Sequence, residues 1–83
     1  MPEFIDFHEG YHNLTQDLLE QSFKRDRENE ASEGVHFKRS WADPSTGRIF
    51  CLSEGPSKLA VLRVHQKAGH ATHFIFEVPY SSE

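Results

Sequence analysis

The feature that most constrains the fold is a turn between two alternating segments. The run Asp43-Pro44-Ser45-Thr46-Gly47 is made of residue types that favour tight turns. Residues 35–42 before it and residues 48–54 after it alternate in polarity with the period of two expected of β-strands. Parallel strands need a much longer connection. The sequence therefore predicts an antiparallel β-hairpin in the middle of the chain.

On the N-terminal side of the hairpin, the sequence predicts one strand and one helix. Residues 3–8 alternate as a short strand, and Thr15 is a suitable N-cap for the helix that follows. Apolar residues at helical spacing occur only in the first half of this helix. Residues 24–33 are almost wholly polar, so we expect the second half to be solvated and Gly34 to end it.

On the C-terminal side, the sequence predicts a second helix and a last strand. Gly55 and Pro56 fit the cap and first-turn positions of this helix, and Gly69 is a natural terminating residue. Residues 73–79 then alternate as a strand. The resulting order is β-α-β-β-α-β.

This order predicts one α+β domain of the ferredoxin-like type over residues 1–83. Its four-stranded antiparallel sheet has the spatial order 4-1-3-2, and both helices pack on one face. Strict alternation in the second strand puts Val35, Phe37, Arg39 and Trp41 on one side. Alternation in the other strands separates a polar face from an aromatic face that carries Phe7, Phe50 and Phe76.

Composition narrows the class of partner. The net charge is −4 and the main basic run, Lys24 to Arg27, is interrupted by Asp26, which argues against nucleic acid as a partner. No apolar run approaches membrane-spanning length, so no membrane partner is expected. The single cysteine, Cys51, excludes an internal disulfide and fits a reducing compartment. We therefore expect a cytoplasmic protein.

Histidines supply the main functional signal. The predicted topology brings five of the six to one end of the fold, whereas His36 lies at the opposite end. Imidazole and carboxylate ligands suit nickel, copper, zinc or cobalt. The predicted metal ligands at this end are His8, Glu9, His12, His65, His70 and His73. His65 alternatively fills the core as an ordinary buried residue, since it lies among apolar helix positions.

A second interpretation is catalytic. If the polar face of the sheet is the open one, Asp6, His8 and Cys51 would line a substrate pocket of a cofactor-free, dimeric α+β barrel enzyme acting on a small organic molecule. The open face would serve equally well as a dimer interface. A third possibility is a dimerising accessory module that has neither activity.

Several runs resemble a family of very small bacterial nickel-binding proteins. They are His8-Glu9-Gly10, Arg39 to Pro44, Phe50 to Pro56 and Val64 to His70. The resemblance covers nearly the whole chain. It implies a homodimer of ferredoxin-like subunits that binds nickel at its surface and sequesters or buffers excess metal. Together with the histidines, it favours a metal-binding protein over an enzyme.

Overall fold

The computed structural model describes residues 1–72 and 74–83, and it confirms the predicted fold class. The elements are β1 (Glu3–His8), α1 (Gln16–Asn29), a 3₁₀ turn (Ala31–Glu33), β2 (His36–Asp43), β3 (Arg48–Glu54), α2 (Lys58–Ala68) and β4 (Phe74–Glu77). The antiparallel sheet has the order β2-β3-β1-β4, which is the predicted order. Within the described residues, no helix has the length and apolar character needed to cross a membrane.

The hairpin turn is fixed by its own side chains. Asp43 Oδ1 accepts hydrogen bonds from the Ser45 hydroxyl at 2.6 Å and from the Ser45 N–H at 3.1 Å. Gly47 has a φ of 74°, and a Cβ at this position would lie 2.7 Å from His12 Nε2. The turn therefore needs glycine here for its backbone conformation, and a Cβ would also displace the His12 ring.

Caps determine where the helices begin. The Thr15 hydroxyl accepts from the Leu18 N–H at 3.2 Å, which confirms Thr15 as the N-cap of α1. In α2 the N-cap is Ser57, whose hydroxyl accepts from the Ala60 N–H at 3.1 Å. The predicted start at Gly55 and Pro56 is wrong because neither residue has a side-chain acceptor to satisfy the first turn.

A β-bulge in β2 reverses part of the predicted alternation. Phe37 lies opposite Ser53, but Arg39 lies opposite Leu52, so the register shifts between them. Phe37 is fully buried under the helices, whereas Arg39 packs over Trp41 on the open side of the sheet. The prediction that all four alternating residues share one face is therefore wrong beyond the bulge.

The two faces of the sheet have an unusual distribution of residue types. The open face carries the apolar cross-strand partners Ile5, Phe7, Phe50, Leu52, Phe74 and Phe76. The face beneath the helices includes the apolar core and also the buried polar residues Asp6, His8 and Ser53. The expectation that Asp6, His8 and Cys51 lie on the open face is wrong, because the helices cover them: His65 on α2 pairs with Asp6, and Asp26 on α1 pairs in turn with His65.

Candidate metal centre

The centre is built around His65, which has no exposed surface. Its Nδ1 lies 2.9 Å from Asp26 Oδ1 on α1, and its Nε2 lies 2.9 Å from Asp6 Oδ2 on β1. Both ring nitrogens therefore have a carboxylate partner. A neutral imidazole has only one N–H, so this arrangement favours the imidazolium form, in which both nitrogens donate.

Charge and burial oppose each other at His65. Burial alone would lower the pKa of His65, but hydrogen bonds to Asp26 and Asp6 and their negative charges raise that pKa from 6.5 to about 9. Burial would likewise raise the pKa of both carboxyl groups. Hydrogen bonds to His65 and its positive charge instead lower the pKa of both carboxyl groups below 3.8. His8 adds to this effect at Asp6, and His70 adds to it at Asp26. The core thus contains two carboxylates and one imidazolium at neutral pH.

Strand β1 adds His8, two residues beyond Asp6 on the same face. The His8 and His65 rings are 4.7 Å apart between centroids and meet edge to face. His8 Nε2 lies 3.1 Å from Asp6 Oδ1, close enough for an ion pair. Neither of these buried atoms has an aligned hydrogen-bond partner. These two atoms are therefore available to a metal ion that takes both nitrogen and oxygen donors.

Cys51 completes this side of the centre. It lies opposite Asp6 in the pairing of β1 with β3. Burial, together with the negative charges of Asp6 and Asp26, raises the pKa of the Cys51 thiol well above its ordinary value. The thiol therefore stays protonated unless a cation nearby stabilises the thiolate.

The end of α2 positions His70. Gly69 has a φ of 90°, and the His70 N–H donates to the His65 carbonyl oxygen at 3.0 Å while the Gly69 N–H donates to Gln66 at 3.1 Å. This pair of bonds is a Schellman motif. It turns His70 back over the helix end, where its Nε2 lies 2.7 Å from Asp26 Oδ1.

Two overlapping groups of donor atoms result. Asp6, His8, Cys51 and His65 form one group, and Asp26, His65 and His70 form the other, each with ligand atoms within 4.8 Å of one another. We call the six residues together the His/Asp centre. The donors are imidazole nitrogen, carboxylate oxygen and one thiol, a set that suits a borderline transition-metal ion such as nickel.

The sequence-predicted ligands divide into three groups. His8, His65 and His70 meet in the His/Asp centre. Glu9 and His12 do not: Glu9 is exposed with an oxygen 3.7 Å from Arg48 Nη2, and His12 lies over Gly47. His73 lies outside the described residues.

Sequence reasoning missed Asp26, because it was assigned to a solvated helix half. Asp26 is only 2% exposed. A signal was present: Leu19, Phe23 and Asp26 are spaced by four and three residues, which places Asp26 on the buried face of α1.

Comparison with known proteins agrees with the fold. Residues 4–78 match the family model described as nickel responsive protein SCO4226-like. The crystal structure of SCO4226 from Streptomyces coelicolor A3(2) is 51% identical, with a TM-score of 0.94, and the match covers 96% of this chain and 99% of that chain. No curated protein matches. The chain belongs to the SCO4226-like family of nickel responsive proteins.

Proposed function

We propose that this protein binds nickel at the His/Asp centre and sequesters or buffers it. The observation that supports the proposal is the meeting of three imidazoles and two carboxylates in the core, with Asp6 Oδ1 and His8 Nε2 lacking aligned partners. The family's description as nickel responsive supports the choice of metal. Copper, zinc and cobalt accept the same donors, so selectivity has to be measured.

The charge of the centre also favours a cation. Asp6 and Asp26 contribute two negative charges, and the His65 imidazolium contributes one positive charge. A divalent ion would displace one proton from His65 and leave the two carboxylates compensated. Thiolate formation at Cys51 would then be favoured by the ion rather than opposed by Asp6.

We propose further that the protein acts as a homodimer through the open face of the sheet. Phe74 and Phe76 are 45% and 54% exposed. Phe7 stacks on Phe74 at 4.5 Å, and Arg48 lies over the Phe7 ring. A continuous aromatic surface of this kind is costly in water and is typical of protein interfaces. A second copy of the chain offers the same apolar surface for burial.

Location is part of the same proposal. Cys51 is buried and free, which fits a compartment where thiols stay reduced. We place the nickel-buffering role in the cytoplasm on this basis.

Calorimetric titration of tag-free protein tests metal binding. Nickel, zinc, cobalt and copper are titrated into wild type, His8→Gln and His36→Gln. We expect saturable nickel binding that His8→Gln weakens by about tenfold or more, in line with the loss of a ligand. His36 is exposed near Glu30, away from the centre, so His36→Gln is the matched control.

Two results would overturn the proposal. One is nickel binding no tighter than about tens of micromolar in wild type, a weak affinity by ordinary standards. The other is binding that survives His8→Gln but is lost in Glu9→Gln or His12→Gln, since that would place the ion on the surface.

A further inference from the structure

A long surface groove runs between α1 and β2, which lies at one edge of the sheet. Two adjoining cavities of about 580 and 540 Å³ form this groove, and both are lined by Gln16, Leu19, Arg39 and Ser40. On the β2 side the lining runs from Lys38 to Pro44, a length of ~20 Å in extended backbone. The groove therefore has room for an extended segment of about six residues.

The outward edge of β2 has unused hydrogen-bonding groups. Within residues 1–72 and 74–83, β2 pairs only with β3. The start of β2 is protected: the Phe37 N–H donates to Glu30 Oε2 at 2.8 Å, and the bulge and Lys38 follow it. Bulges and lysines are common protection against pairing with another chain. Residues 39–42 have no such protection, and no turn or cap in the described part of the chain supplies hydrogen bonds to their outward backbone groups.

The groove provides an apolar floor beside this free edge. Leu19 is buried and Phe23 packs against the core, and both line the larger cavity. Successive side chains of a strand point to opposite sides, so every second side chain of an added strand would lie against this floor. Proteins bind extended peptides at surfaces of this kind, where a free strand edge adjoins pockets for alternate side chains.

Two arginines flank the free edge, one on each side of the sheet. The guanidinium carbon of Arg27 lies 5.3 Å from the centroid of the Phe23 ring, on the helix side. That of Arg39 lies 5.1 Å from the Trp41 ring, on the open side. In the part of the chain that the structure describes, neither guanidinium has a carboxylate within ion-pair distance. Acidic side chains of an added strand would therefore meet an arginine on either side.

The other charges of the groove leave it positive. Glu20, Lys24 and Glu28 follow one another at intervals of four along α1, so Lys24 offsets part of the charge of the two carboxylates. Lys38 already has carboxylate partners. Three basic side chains without a partner thus stand against two carboxylates, in a protein whose net charge is −4. An acidic partner is therefore favoured over a basic one.

We propose that residues 39–43 of β2 bind an extended acidic peptide as an added strand. Its apolar side chains pack on Leu19 and Phe23, and its carboxylates lie near Arg27 and Arg39. Backbone hydrogen bonds supply the affinity, and the two arginines select acidic partners. None of these residues belongs to the His/Asp centre, so the inference does not depend on nickel binding.

NMR titration of ¹⁵N-labelled protein with capped hexapeptides tests the inference. The first probe is Glu-Val-Glu-Val-Glu-Val, and its charge control has lysine in place of glutamate. Two further probes carry N-methyl groups on alternate peptide bonds, each on a different alternate set. Neighbouring N–H groups of a strand point in opposite directions, so only one of the two sets can donate to β2.

We expect the glutamate peptide to shift the amide signals of residues 39–43. One of the two N-methylated peptides should bind about tenfold more weakly or worse, because its backbone hydrogen bonds are lost. The lysine peptide should also bind more weakly. Arg27→Gln and Arg39→Gln should each weaken binding of the glutamate peptide several-fold at low salt, and high salt should reduce that difference. Arg25→Gln is the matched control, since Arg25 lines a different cavity on the other flank of α1, and it should bind as wild type does.

Three results would overturn the inference. The first is the absence of saturable shifts up to about 1 mM peptide, which corresponds to a very weak interaction. The second is equal binding of the two N-methylated peptides, or binding of the lysine peptide as tight as that of the glutamate peptide. The third is a set of shifts centred on Phe74 and Phe76, since that would place the peptide on the open face of the sheet.

Discussion

The buried charges predict that the metal-free protein loses stability as the pH rises. His65 has a folded pKa of about 9, raised from 6.5 mainly by hydrogen bonds to Asp26 and Asp6 that overcome its burial. The folded state therefore holds this proton more tightly than the unfolded chain does. Its contribution is fully present below pH 6.5 and is lost as the pH rises through about 9.

The magnitude follows from the two pKa values. Each pH unit corresponds to ~1.4 kcal/mol, so the interval from 6.5 to about 9 gives a loss of about 3 kcal/mol. A chain of this length is expected to have a free energy of unfolding of about 4–12 kcal/mol. The loss is therefore a large share of the total. Asp6 and Asp26 have lowered pKa values and stay ionised throughout, so they add no slope in this range.

Cys51 requires a separate control. Burial and the nearby Asp6 and Asp26 charges raise the pKa of the thiol. The folded state therefore also holds this proton more tightly than the unfolded chain does, which reduces stability at alkaline pH. Urea unfolding is therefore measured in Cys51→Ala, with chelator present, from pH 6 to 9.5. We expect the midpoint to fall steadily above pH 6.5.

The matched variant is His65→Gln in the same background, which should lose the alkaline slope. Should that variant not fold, the ring of His65 in Cys51→Ala can be titrated directly by NMR, with an expected midpoint near 9. A flat stability profile between pH 6.5 and 9, or a slope that His65→Gln retains, would refute the reasoning.

Three further outcomes are expected. Nickel affinity should increase from pH 6.5 to 9. The increase should be at most about tenfold per pH unit, because one proton is displaced from His65. Calorimetry that shows no increase would contradict this prediction. Phe76→Glu should dissociate the proposed dimer in sedimentation experiments, whereas Leu59→Glu, at an apolar side chain 51% exposed on α2, should not. Gly69→Ala should lower the free energy of unfolding, measured with urea, by about 1–2 kcal/mol, because the φ of 90° at Gly69 disfavours a Cβ. The same substitution should weaken nickel binding by displacing His70.

The fold could be predicted because local patterns and topology agreed. The turn at Asp43 to Gly47 required a hairpin, and the remaining elements then had one common closed arrangement. The errors were local. The bulge after Phe37 has no clear sequence signal, since alternation continues through it. The start of α2 was misplaced because Pro56 fits a first turn, although Ser57 provides the cap.

The candidate site could be predicted only in part. Topology correctly brought His8, His65 and His70 to one end of the sheet. It could not give the direction of the loop after β1, which is fixed when the Tyr11 N–H donates to the Gly47 carbonyl oxygen at 2.9 Å. That long-range bond carries His12 to the hairpin instead of to the centre.

The covered face of the sheet could not be identified from strand alternation alone. Hydrophobicity favours the aromatic face as the core, yet the helices cover the polar face instead. The deciding information was on the helices, where Asp26 and His65 occupy positions that face the sheet. Polar residues on facing elements satisfy one another, and such matches depend on tertiary register.

This inverted arrangement bears on function. Burying charges such as Asp6, Asp26 and His65 carries a large desolvation cost, and apolar side chains of similar volume often serve a fold as well or better. Exposing Phe74 and Phe76 forgoes burial that the same chain could have used in its core. Stability of an isolated subunit explains neither feature. Cation binding would use the buried charges, and self-association would use the exposed aromatic surface, so the two features support the proposed function independently of each other.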